Sequence, residues 1–92
     1  MNYRVIWRKR VADGLGQLTF LALELGQDAE AFSRSVAEIE LRLSDSPATE
    51  GESRNGPERI LIVHPLSATF EVFEAKQLVL IYEVVVYPRR RV

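Results

Sequence analysis

Arg59-Ile60-Leu61-Ile62-Val63-His64-Pro65, followed by Ala68-Thr69-Phe70-Glu71-Val72-Phe73 and then by Leu78-Val79-Leu80-Ile81-Tyr82-Glu83-Val84-Val85-Val86-Tyr87-Pro88, decides the architecture. These runs are rich in β-branched and aromatic residues, which fit a pleated surface. Turn residues separate them. Pro65 stops the first run, Glu74-Ala75-Lys76-Gln77 lies between the second and third, and Pro88 stops the third. Three consecutive strands are predicted, at 59–64, 68–73 and 78–87. In the last, strict alternation places Leu80, Tyr82, Val84 and Val86 on one face. Val79, Ile81, Val85 and Tyr87 fall on the other, interrupted by Glu83. Apolar residues on both faces predict a central strand, or one face reserved for a partner.

Upstream the period changes. Phe32, Val36, Ile39 and Leu43 recur at helical spacing, with Asp28 as the N-cap and Glu30 in the favourable first turn. Glu38 and Arg42 form an i,i+4 pair on another face. Before that, Val11, Leu15, Leu18, Ala22 and Leu25 define one face of an earlier helix. Gly14 and Gly16 weaken its first half, so its firm part runs from Gln17 to Leu25, and Gly26 ends it. Tyr3-Arg4-Val5-Ile6-Trp7 reads as an opening strand, and Ser44 to Gly56 as a loop. The order is β-α-α-β-β-β. It predicts an α+β fold, a helical hairpin packed on a mostly antiparallel four-stranded sheet.

A chain of 92 residues makes residues 1–92 one domain. It contains no Cys and one His, which excludes a disulfide framework, a Cys-based zinc site and a thiol nucleophile. No metal site and no cofactor are expected, because no Gly-rich phosphate loop, metal cluster or nucleophile triad is present in the sequence. No apolar run spans a bilayer, and the N-terminus lacks the apolar core of a signal peptide, so a cytoplasmic protein without membrane contact is expected. The net charge of −1 is unevenly spread. Residues 1–10 carry Arg4, Arg8, Lys9 and Arg10 with no acid, residues 11–56 carry nine acids against three Arg, and residues 57–92 are close to balance.

With these elements in order, the sequence resembles the RelE/ParE superfamily of bacterial toxins from type II toxin–antitoxin systems. The resemblance runs through the opening strand, Ile39-Glu40-Leu41-Arg42-Leu43-Ser44-Asp45-Ser46-Pro47, Gly51-Glu52-Ser53-Arg54, the strand opened by Arg59, and the closing two-strand pattern. It implies a toxin held inactive by a cognate antitoxin. RelE-like members inhibit translation as metal-independent endoribonucleases that cut mRNA on the ribosome, and this is the activity first expected here, with the two that follow as alternatives. ParE-like members share the fold and inhibit DNA gyrase without such chemistry. A decayed member would bind only its antitoxin. Two family positions differ here. Ser67 aligns with the Arg that usually opens its strand, with Leu66 and Phe70 at the aromatic positions, and Val92 falls before the C-terminal Tyr of many ribonuclease members.

Cleavage through the RNA 2′-hydroxyl requires a proton acceptor, a proton donor and cations for the transition state. The resemblance implies Lys and Arg on the sheet, with a Tyr or His near the C-terminus. Arg59, Arg89, Tyr87 and His64 are the catalytic candidates. Arg54, Arg90, Arg91, Arg8, Lys9 and Arg10 are the candidates for RNA-phosphate contact. Each has a plainer reading. Arg89-Arg90-Arg91 can be a solvated tail, and Arg8-Lys9-Arg10 a decorated helix start. His64 can be a surface residue at a strand end, and Tyr87 an aromatic packed beside Pro88. Arg54 and Arg59 can each pair with the acidic loop at Glu50 and Glu52. If strands and helices strictly alternate in direction, the last strand ends beside His64 and Pro65, and Arg8-Lys9-Arg10 lie at the opposite end of the sheet.

Overall fold

The computed structural model describes residues 2–53 and 56–88; Arg54, Arg89, Arg90 and Arg91 lie outside them. Strand β1 (Arg4–Trp7) leads into helices α1 (Lys9–Glu24) and α2 (Ala29–Asp45). Strands β2 (Glu52–Ser53), β3 (Glu58–Val63), β4 (Leu66–Phe73) and β5 (Leu78–Val86) follow. They form one sheet in the order β1-β5-β4-β3-β2. β1 runs parallel to β5, and every other neighbouring pair is antiparallel. The α+β class and the helical hairpin on a mostly antiparallel sheet are as expected, with five strands in place of four.

The extra strand is β2, inside the expected loop. Gly51 adopts a left-handed conformation (φ +67°), and a Cβ there would stand 2.3 Å from the Ile60 carbonyl oxygen. Only glycine allows so close an approach of two backbones. The turn lays Glu52 opposite Ile60 and Ser53 opposite Arg59.

Helix α2 forms where its apolar period and caps agree. The Asp28 carboxylate accepts from the Ala31 N–H at 2.7 Å, and Phe32, Ile39 and Leu43 are buried. Ser35 shares that face, and its hydroxyl donates to the Val63 carbonyl at the end of β3. A hydroxyl buried with such a partner carries little desolvation penalty. Helix α1 begins at Lys9, well before its firm sequence signal, and carries Gly14 and Gly16 in its interior. It closes at Gly26 (φ +86°). There the Gln27 N–H reaches the Ala22 carbonyl at 2.8 Å, and the Gly26 N–H reaches that of Leu23 at 3.1 Å. This is the paired bonding of a Schellman stop.

The expectation of strict alternation fails at the first junction. The Arg8 N–H donates to the Ile81 carbonyl at 2.9 Å, and the Gln27 side chain donates to the Tyr87 carbonyl at 3.0 Å. Helix α1 therefore continues in the direction of β1 along β5. Helix α2 runs back, bringing the Ser44 carbonyl to the Tyr3 N–H at 2.7 Å. One missing reversal makes β1 and β5 parallel. It puts Arg8, Lys9 and Arg10 beside the middle of β5 rather than at the far end from His64.

The core lies between the hairpin and the facing side of the sheet. Phe70, Ile39, Leu43, Leu66, Ile81 and Val79 are its largest fully buried side chains apart from prolines. In β5 the expected alternation is corrected. Ile81 pairs with Phe70, but Thr69 pairs with Glu83, so Tyr82 is an extra residue in a bulge. The bulge shifts the period by one. Val79, Ile81, Val84 and Val86 all become buried, while Glu83 and Val85 turn outward.

Candidate functional site

Only the first half of β5 is paired with β1, over Leu78–Ile81. Beyond that point α1 runs alongside the strand. Between them lies a groove of about 380 Å³. Arg8 at the N-cap and Arg10 and Gln17 of the helix line it with Gly14, Leu18 and Leu21, and Tyr82, Glu83 and Val84 from the strand. No residue signal announced it, because it results from the continuation of α1 and the shortness of β1. It brings two expected phosphate contacts, Arg8 and Arg10, to one place, with Glu83 among them. Lys9, on the far side of the helix, does not line it.

The hairpin-free face of the sheet is described by its register. Ile62 of β3, Ser67 of β4 and Val85 of β5 form one cross-strand row. Ile60, Thr69 and Glu83 form the next, and Glu58, Glu71, Leu80 and Ile6 another. Ile62 is 58% exposed and Val85 41%. Ser67, at the position where the family resemblance places an Arg, is thus a small residue, itself buried, between two exposed apolar side chains. Carboxylates are prominent on this face. The Tyr82 hydroxyl donates to the Glu71 carboxylate at 2.7 Å. That bond, with burial and the charges of Glu71 and Glu58 acting in the same direction and Arg8 opposing, raises the Tyr82 pKa above the ordinary phenol value. Tyr3 is raised in the same way by its 2.5 Å bond to Glu74.

Arg59 does not reach this face. It sits opposite Phe70 on the core side of β3. Its Nε–H donates to the Glu50 carbonyl at 2.9 Å, and its second guanidinium nitrogen to the Gly51 carbonyl at 3.1 Å. The Glu50 carboxylate is taken by Arg42 at 2.6 Å, and Arg42 also meets Glu38 at 3.2 Å. Two guanidiniums thus clamp the Glu50-Gly51 turn that starts β2. The sequence placed Arg59 near this acidic loop; the structure has it holding backbone carbonyls instead of a carboxylate. With Nε and one terminal nitrogen engaged there, Arg59 is a clamp residue.

His64 and Tyr87 lie at the same end of the sheet. The Tyr87 N–H donates to the Pro65 carbonyl at 2.8 Å, so the end of β5 lies against the turn between β3 and β4. Both side chains are exposed. The remaining candidates, Arg54, Arg89, Arg90 and Arg91, lie outside the described residues. Among the described residues no group of three or more His, Cys, Asp or Glu side chains converges as a metal site, and no helix is long and apolar enough to cross a membrane.

Fold and surface together define a class: an α+β domain whose hairpin covers one sheet face and leaves the other open, with a groove between its first helix and its last strand. No protein-family model and no curated protein matches the chain.

Proposed function

We propose that this chain acts by binding a protein, as the non-cleaving kind of toxin in the group its sequence resembles. On this reading it is the cytoplasmic toxin component of a bacterial type II toxin–antitoxin pair. Its partners are a cognate antitoxin and a protein target such as DNA gyrase. The observation that carries the reading is the Ile62–Ser67–Val85 row. RNA cleavage requires cations on the sheet to balance the phosphate charge that develops in the transition state. At that position stands Ser67, between exposed apolar side chains, with Glu83 on the next row and Glu71 on the one after it. Such a surface suits the apolar side of an extended or helical protein segment.

Expression of the intact chain in a bacterial host tests this. Growth arrest without new RNA 5′ ends in cell-wide mapping is the expected result, together with inhibition of purified gyrase. Ile62→Asp with Val85→Asp, both at exposed positions, removes the arrest while leaving the circular dichroism spectrum unchanged. Codon-phased RNA cleavage rejects the proposal.

That last outcome belongs to a second reading, ribosome-dependent mRNA cleavage. One observation favours it: His64 and Tyr87, two groups able to move protons, share one sheet end. On that reading His64→Ala with Tyr87→Phe abolishes the cleavage ends. In the binding reading the same pair of substitutions has no effect on RNA.

A further inference from the structure

Helix α1 carries a second stripe, charged at Lys9, Asp13 and Glu24 and apolar at Phe20 and Leu23, that the described residues leave uncovered. Opposite its core face lie Lys9, Asp13, Gly16, Phe20, Leu23 and Glu24. Phe20 is 67% exposed and Leu23 51%. These side chains flank Gly16, where an added Cβ meets nothing within 4 Å, so among the described residues nothing packs over it. The charges at the two ends of the stripe run against the helix dipole. Lys9 stands in the first turn and Glu24 in the last, and neither turn holds a charge of the favourable sign.

We propose that α1 is a self-association surface, and that its occupant is α1 of a second copy, packed antiparallel about a two-fold axis beside Gly16 and Gln17. In this arrangement residue i faces residue 33 − i of the partner copy. Lys9 then meets Glu24 of the other helix, twice over, which is the reciprocity a two-fold interface requires. Phe20 seats over the gap at Asp13 and Gly16, where the missing side chain lets the helices approach. Antiparallel packing also sets each helix dipole against its opposite. Charges that weaken α1 alone thus become attractive between copies. This self-complementarity selects a second copy over an unrelated helix. Two helices of about four turns bury less than the roughly 800 Å² per partner of a standard complex. The dimer is therefore weak and sensitive to salt.

Sedimentation velocity on the full chain at low salt, from about 10 µM to about 1 mM, should show monomer giving way to dimer. Phe20→Glu abolishes the dimer. Lys9→Glu or Glu24→Lys alone raises the dissociation constant about tenfold, because two exposed pairs turn from attraction to repulsion at once. The double variant Lys9→Glu/Glu24→Lys restores the dimer. Circular dichroism checks that each variant is folded. The chain has no cysteine, so Gly16→Cys supplies a single thiol near the axis, within the short reach of a disulfide. It oxidises to a covalent dimer, while Ala37→Cys on α2 does not. A monomer at every concentration overturns the proposal. So does a dimer indifferent to Phe20→Glu, a charge swap that fails to restore association, or equal cross-linking at both cysteine positions.

Discussion

Helices α1 and α2 are of nearly equal length, 16 and 17 residues, and are held in place by different means. In α2 local signals and burial agree. Asp28 caps it, Glu30 sits in its first turn, Arg42 in its last, and Phe32, Ile39 and Leu43 are buried. In α1 they disagree. No side chain caps it, and only Val11 and Ala22 are buried among its sixteen residues. Its interior holds Gly14 and Gly16. The difference teaches where structural necessity ends and surface begins. Helix α2 has one face in the core, specified at every level, although Leu41 on its outer side is 69% exposed. Helix α1 depends on β5, on α2 and on its Gly26 stop, and leaves Phe20, Leu21 and Leu23 exposed.

The contrast breaks most visibly in the core. Ile39→Ala on α2 is expected to cost about 2–5 kcal/mol in urea unfolding, because it opens a cavity among fully buried side chains. Leu23→Ala on α1 should cost within about 0.5 kcal/mol, as surface substitutions do. Equal losses would show the two helices to be equally core. At the caps, Asp28→Ala should cost about 1 kcal/mol, while Arg8→Asp at the start of α1 should stabilise by about 0.5–1 kcal/mol, supplying the missing cap and a favourable charge. Gly14→Ala should raise stability by up to about 1 kcal/mol, since the new Cβ meets nothing within 4 Å. Gly51→Ala, at positive φ against the Ile60 carbonyl, should lower it by about 1–3 kcal/mol.

The smallest expected effect concerns Tyr82. Its pKa is raised in the folded state chiefly by donation to Glu71. The stabilisation is therefore fully present below the ordinary phenol pKa, and is lost as pH rises through the folded value. Absorbance titration of the tyrosines should show one high-pH transition move down in Glu71→Ala. An unchanged titration would mean that the bond does not persist in solution.

Much of this fold was readable in advance because its signals are local. Asp28, Gly26 and the Phe32–Leu43 period each act within one or two helical turns, and the pair Glu38–Arg42 forms as spaced. The strand runs at 59–64, 68–73 and 78–87 were likewise near their observed bounds. The site was less readable. Arg59 reads as a cation for phosphate, but its partners are carbonyls brought to it by the turn at Gly51. The groove beside β5 has no sequence signature at all. Tyr82 reads as one more residue in an alternating run, and becomes a bulge only because Thr69 pairs with Glu83.

By itself, the sequence determined the element types, the hairpin, the buried stripe of α2 and the absence of cysteine chemistry. These follow from side-chain period, capping and composition, which act over a few residues. Tertiary structure alone decided that α1 continues in the direction of β1, that β1 lies parallel to β5, and that the bulge at Tyr82 buries Val84 and Val86 together. Each depends on contacts between segments far apart in the chain, whose energies are set by which faces can be covered at once.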